Sequence, residues 1–482
     1  MWTGAGLPAE LPRPAPSGRP RPRPGILHLG PGAFFRAFVA PWIEEAVARS
    51  GGDWGIIAVS LKSATARDHM RAQDWVYTAA ERAPEETRTR QIEVIREVLV
   101  APEDPAAVLD RLADPAIRIA SLTVTEKGYC HDPATGRLNR NHPDIRHDLD
   151  GPLPRSAPGF LVRGLAARRK ARLPPFTVLS CDNLPDNGAL TRHIVLDLAG
   201  MIDPGLADWI ADQGAFPSTM VDRIVPATTD ADLAAIAGLT GRHDPAAVIH
   251  EPFRQWVVED RFAAGRPDLQ AVGVEMVTDV APYELMKLRM LNGAHSALAY
   301  LGYLAGHRHV SAAVEDPVLA AFIRNLWARE IGPTLVPPID PGAYSKALFH
   351  RFANPAIRHS LWQIAMDGSQ KLPQRILGTL SDAIAAGRPA PGLLLVVAGW
   401  MRYVGGRDES GGAIEVKDPL AARLKAIADA ARSPEETVRG FLALREVFSP
   451  AIATRIAAPL TGIYAALIRD GARAAAARLS GA

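Results

Sequence analysis

The sequence has few cysteines, no long apolar run and little net charge. Only Cys130 and Cys181 occur among its 482 residues, and neither belongs to a Cys-x-x-Cys pair or to a cysteine-histidine motif along the chain. This scarcity argues against a disulfide framework or a structural zinc site, and it predicts a reducing compartment, the cytoplasm. The longest apolar run, residues 393–401, is far shorter than the roughly 20 residues needed to cross a bilayer.

Charge of neither sign dominates the composition. The chain has 54 basic and 52 acidic side chains, a net charge of +2, so we expect neither a nucleic-acid partner nor a membrane surface. Hydrophobic residues make up 48% of the chain, which is typical of a globular enzyme rather than of a disordered protein. We therefore expect a small-molecule substrate and a monomer or weak homo-oligomer.

The length predicts more than one domain, because 482 residues exceed what a single hydrophobic core usually serves. Residues 1–24 are rich in proline and arginine and lack the apolar core of a signal peptide. We predict a stiff polar extension over residues 1–24. A dinucleotide-binding domain of Rossmann type then covers residues 25–277, and a mainly α-helical substrate domain covers residues 278–482, which makes the fold class α/β.

A glycine turn follows the first apolar run. Residues 25–29 lead into GPGAFFR (residues 30–36) and then into a helical pattern. A dinucleotide pyrophosphate needs this order of strand, glycine turn and helix, because glycines let the backbone approach and the helix start offers free N–H groups. Phe35 stands where a third glycine is usual, so the segment is either a cofactor loop or an ordinary strand-to-helix turn.

Four further apolar runs predict strands, at residues 54–61, 92–100, 117–124 and 175–180. The last two end in Thr125-Glu126 and in Cys181-Asp182-Asn183, where functional loops gather in doubly wound sheets. No acid for a ribose follows the run at residues 54–61. Lys62 could favour the 2′-phosphate of NADP(H) or could simply be solvated, so the cofactor preference stays open.

The loop-rich stretch at residues 131–152 contains three histidines. His131, His142 and His147 lack the spacing of a metal site, and we expect them at the surface. No metal ligands are predicted in the chain.

One apolar stretch, YELMKLRMLNGAHS (residues 283–296), carries four polar side chains on one side. At about 100° per residue, an α-helix places them within an arc of roughly 140°: Glu284, Lys287, Asn292 and His295. Apolar neighbours would bury this helix and reduce the hydration of the ammonium, which suits a general acid or base. The alternative is an amphipathic helix whose polar side meets water.

Helical patterns dominate the rest of the chain. They cover residues 311–331, 342–352, 356–366, 373–386, 392–404, 419–431 and 434–448. The last begins with the capping box Ser433-Pro434-Glu435-Glu436.

Several segments between about residues 25 and 450 resemble the long-chain mannitol dehydrogenase family. They include GILHLGPGAFFRAF, SLTVTEKGYC, FTVLSCDNLPDNG, FPSTMVDRIVP, YELMKLRMLNGAHS and DGSQKLPQR. Within the family, EKGYC, SCDNLPDNG and DGSQKLPQR resemble the fructuronate reductase (D-mannonate oxidoreductase) branch.

The resemblance implies a metal-independent, reversible, NAD(H)-linked hydride transfer between a ketone and a secondary alcohol. It implies that Lys287 donates and accepts the proton, while Asn292 and Asn183 bind the reacting oxygen. It also implies that His295 orients the substrate and that Glu284 passes the proton toward solvent.

Further contacts follow from the same resemblance. Asp222 and Lys371 match residues that touch substrate hydroxyls. The cofactor-binding candidates are Gly30, Gly32, Phe34, Arg36, Thr125 and Glu126. The family usually continues its glycine loop with His-Arg-Ala-His, whereas this chain has FRAF at residues 35–38, which leaves that contact open.

The substrate implied by the resemblance is D-fructuronate, with mannitol or a related polyol as the alternative. Gln363 occupies the position of an arginine in mannitol dehydrogenases, which favours a substrate other than mannitol. A uronate needs a cation for its carboxylate, and Lys371, Arg375 or Arg358 could provide one. A nucleotide-binding sensor without turnover is a third hypothesis.

Overall fold

The computed structural model describes residues 11–133 and 135–480, which form two compact units. The first unit ends at Ala281 and the second begins at Pro282. The predicted boundary lay four residues earlier, directly after the last strand of the first unit.

The first unit contains all the strands of the described residues. They are β1 (Pro24–Leu29), β2 (Gly55–Ser60), β3 (Tyr77–Arg82), β4 (Thr87–Ile92), β5 (Ile95–Val100), β6 (Ile119–Leu122), β7 (His131–Asp132), β8 (Arg137–Leu138), β9 (Thr177–Ser180), β10 (Thr219–Asp222), β11 (Val248–His250), β12 (Gln255–Glu259) and β13 (Glu275–Val277). Its helices are Ala33–Ala37, Val39–Ser50, Thr65–Arg71, Pro105–Ala113, Thr125–Gly128, Pro143–Asp150, Ala157–Lys170, Asn187–Ile202, Pro204–Gln213, Asp230–Thr240 and the 3₁₀ turn Gln270–Val272.

Five parallel strands form the main sheet, in the order β5-β2-β1-β6-β9. Counted along the chain, this is the 3-2-1-4-5 order of a Rossmann-type sheet, which confirms the predicted fold class. Alternate residues of each strand bury opposite faces: Ile26 packs with helix Val39–Ser50, and Leu27 packs with helix Ala157–Lys170. The continuous apolar runs in the sequence reflect this burial on both faces.

The strand predicted at residues 92–100 was wrong in its first three residues, because β5 begins only at Ile95. Ile92 ends β4, which pairs antiparallel with β3, and only β5 belongs to the main sheet. The β3–β4 hairpin was not predicted, because β4 reads TRTRQI and its middle residues are exposed. An edge strand that faces water has no apolar run to reveal it.

Two three-stranded sheets and the two-stranded β7–β8 sheet complete the first unit. The orders are β11-β3-β4 and β10-β12-β13, and β10 pairs antiparallel with β12. Residues 11–23 lie along the surface of this unit: Ser17 N–H donates to Glu93 at 3.1 Å, and Arg21 donates to the Glu93 carbonyl at 3.0 Å. The part of the extension that follows residue 10 is therefore held against the domain, and residues 1–10 lie outside the described residues.

The second unit is helical, which confirms the prediction for this half. Its α-helices, the first of which begins one residue before the boundary, are Ala281–Met286, Gly293–Ala297, Val310–Glu315, Pro317–Asn325, Pro341–Phe352, Leu361–Ala365, Gly368–Leu372, Gly378–Ala385, Pro391–Val404, Ala421–Ala430, Pro434–Leu442, Pro450–Asp470 and Ala472–Leu479. Four segments are π-helical, Lys287–Asn292, Leu298–Gly302, Leu326–Ile331 and Pro373–Leu377, and Gly332–Thr334 is a 3₁₀ turn.

Helix Pro391–Val404 forms the centre of this unit and is buried along almost its whole length. Helix Pro450–Asp470 packs against it. By length and composition alone, Pro450–Asp470 could cross a membrane, but one face of it contributes Ile456, Leu460 and Leu467 to the protein core. The sequence patterns had not predicted this helix or the one that follows it.

Candidate active site

The glycine turn joins β1 to the first helix. Gly30 has φ +96°, and a Cβ built on it would lie 2.2 Å from the Thr123 carbonyl oxygen. Its N–H donates to the Val59 carbonyl at 2.9 Å, so the turn is fixed to the carboxyl ends of both neighbouring strands. Only glycine fits this position without strain.

Gly32 differs from Gly30. Its φ of −70° suits any residue, and a Cβ there would meet only the Gly30 carbonyl, at 4.0 Å. Gly32 is exposed at the start of helix Ala33–Ala37, so backbone N–H groups and open space lie together in front of the turn. This cradle fits the pyrophosphate of a dinucleotide.

Arg36 stabilises the turn by a hydrogen bond to its backbone. Its Nη1 donates to the Pro31 carbonyl at 2.6 Å, and its own carbonyl accepts from the Tyr77 hydroxyl at 2.7 Å. Burial lowers the pKa of the guanidinium. Phe34 is partly buried and stacks on Phe38 at a centroid distance of 5.0 Å.

His28 supports the same turn and was not singled out from the sequence. It is fully buried, with Nδ1 2.8 Å from Ser121 Oγ and Nε2 2.9 Å from Thr123 Oγ1. Phe35, which replaces the third glycine, stacks on the His28 ring at 3.8 Å. Burial lowers the pKa of His28 to about 3, so a neutral ring holds β1 to β6 beneath the glycines.

Asp182 ties two strand ends together. Its carboxylate accepts the N–H groups of Val124 and Thr125, both at 2.9 Å, and the Tyr129 hydroxyl at 2.9 Å. Burial raises its pKa, and these three hydrogen bonds oppose that rise. The sequence placed Asp182 in a strand-end loop but gave it no role. Its neighbour Asn183 is exposed.

Thr125 and Glu126 begin a one-turn helix after β6, and both are exposed. Thr125 has φ +63°, a conformation that costs a non-glycine residue free energy. The bond from its N–H to Asp182 stabilises this conformation. The loop therefore exposes both cofactor candidates to solvent, while Asp182 fixes its backbone.

Asn187, which the sequence analysis did not single out, links β9 to β10. Its amide donates to the carbonyls of Asp182 and Thr219, and its oxygen accepts the Thr219 N–H, all at 2.9 Å. Asp222 ends β10 and is buried. The next residue, Arg223, donates to the Ala37 carbonyl at 2.7 Å.

In the second unit, the helical stretch predicted around Lys287 is present, but it is not a uniform α-helix. Residues Lys287–Asn292 form a π-helix between two α-helical segments, so the arc computed at 100° per residue was wrong. In a π-helix residue i bonds to residue i+5, which brings Lys287 and Asn292 next to each other along one side. Trp327 Nε1 donates to the Met290 carbonyl at 2.9 Å and so satisfies a backbone group in this turn.

Lys287 is buried, with 8% of its surface exposed. Asn292 is half-buried. Glu284 lies one turn earlier and is half-buried. The interpretation of this segment as an amphipathic helix with its polar side in water does not fit a lysine at this depth.

His295 is buried and neutral. Its ring stacks on Phe352 at 4.7 Å and meets the edge of His359 at 4.9 Å. Burial and then the charges of His359, Arg375 and Arg351 hold its pKa well below the usual value. Its Nε2 is buried without a hydrogen-bond partner in the described structure, which leaves one ring nitrogen for a ligand.

Cations gather near this histidine. Burial lowers the pKa of Arg375, and no carboxylate among the described residues pairs with it. Lys371 Nζ donates to the Met366 carbonyl at 2.6 Å, and its pKa is lowered by burial and then by Arg375. Arg375 is half-buried, and a partly desolvated guanidinium without an acid is costly, so this region suits an anionic ligand.

The remaining substrate candidates lie at the surface. Gln363, on helix Leu361–Ala365, is exposed, and so is Arg358 in the turn before it. The predicted helix at residues 356–366 was wrong in its first half, because residues 354–360 form a turn.

One possible metal cluster occurs among the described residues. Cys130, His142 and Asp144 place their ligand atoms within 4.8 Å of one another. The sequence spacing had not predicted this cluster, because the thiol and the imidazole are 12 residues apart. Both cysteines are buried free thiols.

Comparison with known proteins identifies related chains. Residues 24–271 match the mannitol dehydrogenase Rossmann domain, and residues 279–464 match the mannitol dehydrogenase C-terminal domain. The chain is 49% identical to the uncharacterized oxidoreductase YeiQ of Escherichia coli, over 88% of this chain and 87% of that one. It is 45% identical to the D-mannonate oxidoreductase of Escherichia coli, over 94% and 95% of the two chains.

A solved structure is similar along the whole chain. Mannitol 2-dehydrogenase from Pseudomonas fluorescens, in a ternary complex with NAD and D-mannitol, matches with a TM-score of 0.82 and 38% identity. The match covers 98% of this chain and 97% of that one.

Proposed function

The chain belongs to the mannitol dehydrogenase family of oxidoreductases, and we propose that it reduces D-fructuronate to D-mannonate with NADH, reversibly and without a metal in the chemistry. The D-mannonate oxidoreductase of Escherichia coli, 45% identical along nearly the whole chain, supports this substrate. We place the reaction in the cytoplasm, in keeping with two buried free thiols.

The cofactor site is proposed at the glycine turn. The open space before Gly32, the outward-facing Thr125 and Glu126, and the similarity to a protein solved with NAD support it. When bound, NADH supplies the hydride. Gly30 holds the turn, Phe34 and Arg36 complete the loop, and Lys62 leaves use of NADPH open.

Lys287 is proposed as the general acid. Its burial keeps bulk water away from the ammonium, which would donate its proton to the developing alkoxide. Asn292 lies next to it and has an amide available to donate to the same oxygen. His295 is neutral and orients the substrate through Nε2, and Glu284 returns a proton to Lys287 from solvent. Asn183 and Asp222 are proposed substrate contacts of the first unit.

The observation that favours a uronate is the charge around His295. Arg375 is half-buried and has no acidic partner among the described residues, and burial lowers its pKa. Lys371 lies near enough to act on Arg375 electrostatically. A carboxylate would pair with this guanidinium in two parallel hydrogen bonds, whereas a neutral polyol would leave the charge uncompensated. We therefore assign the carboxylate to Arg375 rather than to the exposed Arg358.

Oxidation of mannitol or a related polyol is the second candidate. It is favoured by the similarity to the mannitol 2-dehydrogenase solved with D-mannitol. The exposed Gln363 and the uncompensated Arg375 argue against a neutral substrate. A nucleotide-binding sensor without turnover is not favoured. Binding a nucleotide would not require a buried lysine beside an asparagine amide.

The test compares substrates and two arginine variants. Initial rates are measured with NADH and NADPH on fructuronate, tagaturonate and fructose, for wild type, Arg375→Leu and the surface control Arg358→Leu. We expect wild type to prefer fructuronate. Arg375→Leu should reduce kcat/KM for fructuronate by roughly 10- to 100-fold, with a smaller loss on fructose, and Arg358→Leu should behave as wild type.

Lys371→Gln separates charge from hydrogen bonding at the neighbouring cation. A greater loss on fructuronate than on fructose assigns Lys371 to the carboxylate, and an equal loss assigns it to a shared hydroxyl. A wild-type preference for fructose would overturn the uronate assignment.

A further inference from the structure

The cluster of Cys130, His142 and Asp144 combines three kinds of zinc ligand in one place. All three ligand atoms lie within 4.8 Å of one another, and His142 Nδ1 is 3.8 Å from Asp144 Oδ2. In a tetrahedral zinc site with bonds of about 2.0 to 2.3 Å, neighbouring ligand atoms are roughly 3.3 to 3.8 Å apart. The cluster is therefore close to the required size.

The backbone brings these residues together by two hydrogen bonds. Asn139 N–H donates to the Cys130 carbonyl at 2.9 Å, and His142 N–H donates to the Asn139 carbonyl at 3.0 Å. Between them the β7–β8 hairpin reverses the chain. Without a metal, His142 caps helix Pro143–Asp150 by accepting the Asp144 N–H on Nδ1 at 3.2 Å, so the ring lies beside the carboxylate. A zinc ion on Nδ1 would replace this hydrogen bond, because that nitrogen has only one lone pair.

The thiol end of the cluster is anchored in the domain. Tyr129, the preceding residue, is buried and hydrogen-bonds Ser180 at 2.5 Å and Asp182 at 2.9 Å. Cys130 is buried in turn, at a left-handed backbone position with φ +53°. The thiol is thus held by the core, while the imidazole and the carboxylate are presented to it by the loop.

The charges around the cluster favour a cation. The carboxylates of Asp144 and Asp148 act on Cys130 electrostatically, and Lys62 opposes them. Asp148 is buried and accepts the N–H groups of Arg155 and Ser156, so it contributes charge without being a ligand.

We propose that Cys130, His142 and Asp144 bind one Zn²⁺ ion as a structural clamp. The side chains of His142 and Asp144 are 32% and 48% exposed, so the ion can enter without unfolding and a water completes four-coordination. The mixed sulfur, nitrogen and oxygen set selects zinc over magnesium. The site uses none of the side chains proposed for the chemistry.

Binding would attach residues 135–144 more firmly to the core. The loop otherwise depends on the short hairpin and on exposed contacts such as that of Arg137 with Asp197. A zinc ion bridging Cys130 to His142 and Asp144 closes this loop at its base. We expect the loop to become less mobile and the domain to become more stable.

The binding test uses the full-length protein after chelation, titrated with Zn²⁺, with Co²⁺ as a spectroscopic probe and with Mg²⁺. Wild type should bind one Zn²⁺, show a thiolate-to-cobalt charge-transfer band and ignore Mg²⁺. Cys130→Ser, Asp144→Asn and His142→Asn should each weaken Zn²⁺ binding at least about tenfold. Asparagine keeps the helix cap at residue 142, so that variant removes the ligand without removing the cap.

The matched control is His147→Asn, which alters a histidine on the same helix that is 33% exposed. It should bind Zn²⁺ as wild type does. Unchanged affinity in Cys130→Ser, or no charge-transfer band with Co²⁺, would overturn the site.

A second measurement tests the clamp itself. Zn²⁺ should slow tryptic cleavage at Arg137 and Arg140 and raise the unfolding midpoint of wild type, and neither effect should occur in Asp144→Asn. Activity should be the same in the chelated and the zinc-loaded enzyme, because the proposed chemistry uses Lys287. Equal cleavage rates with and without Zn²⁺ would reject the structural role.

Discussion

At the scale of single residues, the arrangement around Lys287 is the feature with the largest consequence. A buried lysine is disfavoured unless its environment uses or compensates the charge. Here it lies at the start of a π-helical turn with Asn292 five residues later. The neutral His295 follows on the same helical stretch. Each of these groups is suited to bind or protonate one oxygen.

Replacing Lys287 by alanine tests the proposed acid. General acid catalysis is worth about 10² to 10⁴ in rate, so we expect Lys287→Ala to lower kcat by at least about a hundredfold while NADH still binds. The measurements are steady-state rates and NADH fluorescence titration. In the reverse oxidation the neutral amine is the base, so the rate should rise with pH, and a small added amine should partly restore the alanine variant.

Arg289, two residues along, provides a matched control. It is buried and cationic, but it pairs with Asp382 and donates to the Thr334 carbonyl, so its role is structural. Arg289→Lys should keep kcat within a fewfold of wild type. A near-normal kcat in Lys287→Ala would remove Lys287 from the mechanism.

At the scale of elements, the glycine turn contains two glycines with different purposes. Gly30 is required by the backbone, because of its positive φ and the nearby Thr123 carbonyl. At position 32 neither reason applies, since φ is ordinary and the space in front of the residue is open. A glycine where the fold does not need one leaves room for a ligand to approach the backbone closely.

Valine at position 32 should therefore affect the cofactor and not the fold. We expect Gly32→Val to weaken NADH binding at least about tenfold, since its side chain occupies the space of the pyrophosphate, with an unchanged unfolding midpoint. Gly30→Ala is the opposite case and should lower the midpoint because the added Cβ clashes. Fluorescence titration and thermal melts on both variants check this. Normal NADH affinity in Gly32→Val would exclude the turn as the pyrophosphate site.

The π-helical segments explain why the arc predicted for the polar side chains at 100° per residue was wrong. A sequence pattern reports a period averaged over a segment, and the wider turn at Lys287–Asn292 shifts that period only locally. The turn is stabilised from outside, by the Trp327 indole on the Met290 carbonyl. That partner lies 37 residues away, beyond the reach of any local pattern.

At the scale of the whole molecule, three buried histidines and the half-buried His359 link stability to pH. Burial lowers the pKa of His28 and His250 to about 3, lowers that of His359 to about 4, and holds that of His295 well below its usual value. In the unfolded chain each has a pKa near 6.5. Below that pH the unfolded chain binds protons that the folded chain does not, so acid favours unfolding.

The free energy of unfolding should therefore fall as the pH drops from 7 toward 4. Each histidine lowers the free energy of unfolding by up to about 1.4 kcal/mol for each pH unit below 6.5. Buried acids with raised pKa values, such as Glu44 and Glu330, partly offset this. Chemical denaturation at pH 7.5, 6 and 5 measures the slope. His359→Gln should flatten it compared with wild type, and an identical slope in the two proteins would contradict the assignment of a depressed pKa.

The sequence by itself determined the fold class, the turn at Gly30 and the family. Buried parallel strands must be apolar on both faces, so their runs are visible locally, and a positive φ selects glycine. Long segments such as SCDNLPDNG and YELMKLRMLNGAHS identified the family, because they combine unusual residues over many positions. These signals depend on residues that are close together in the chain.

Only the tertiary structure decided which polar groups are buried and which of them have partners. Asp182 reaches the backbone of Val124, 58 residues away. The hairpin carries His142 back to Cys130 across 12 residues of chain. The pKa of His295 depends on desolvation and on Arg351 and Arg375. Desolvation and pairing are set by packing between distant segments, and no spacing along the sequence encodes them.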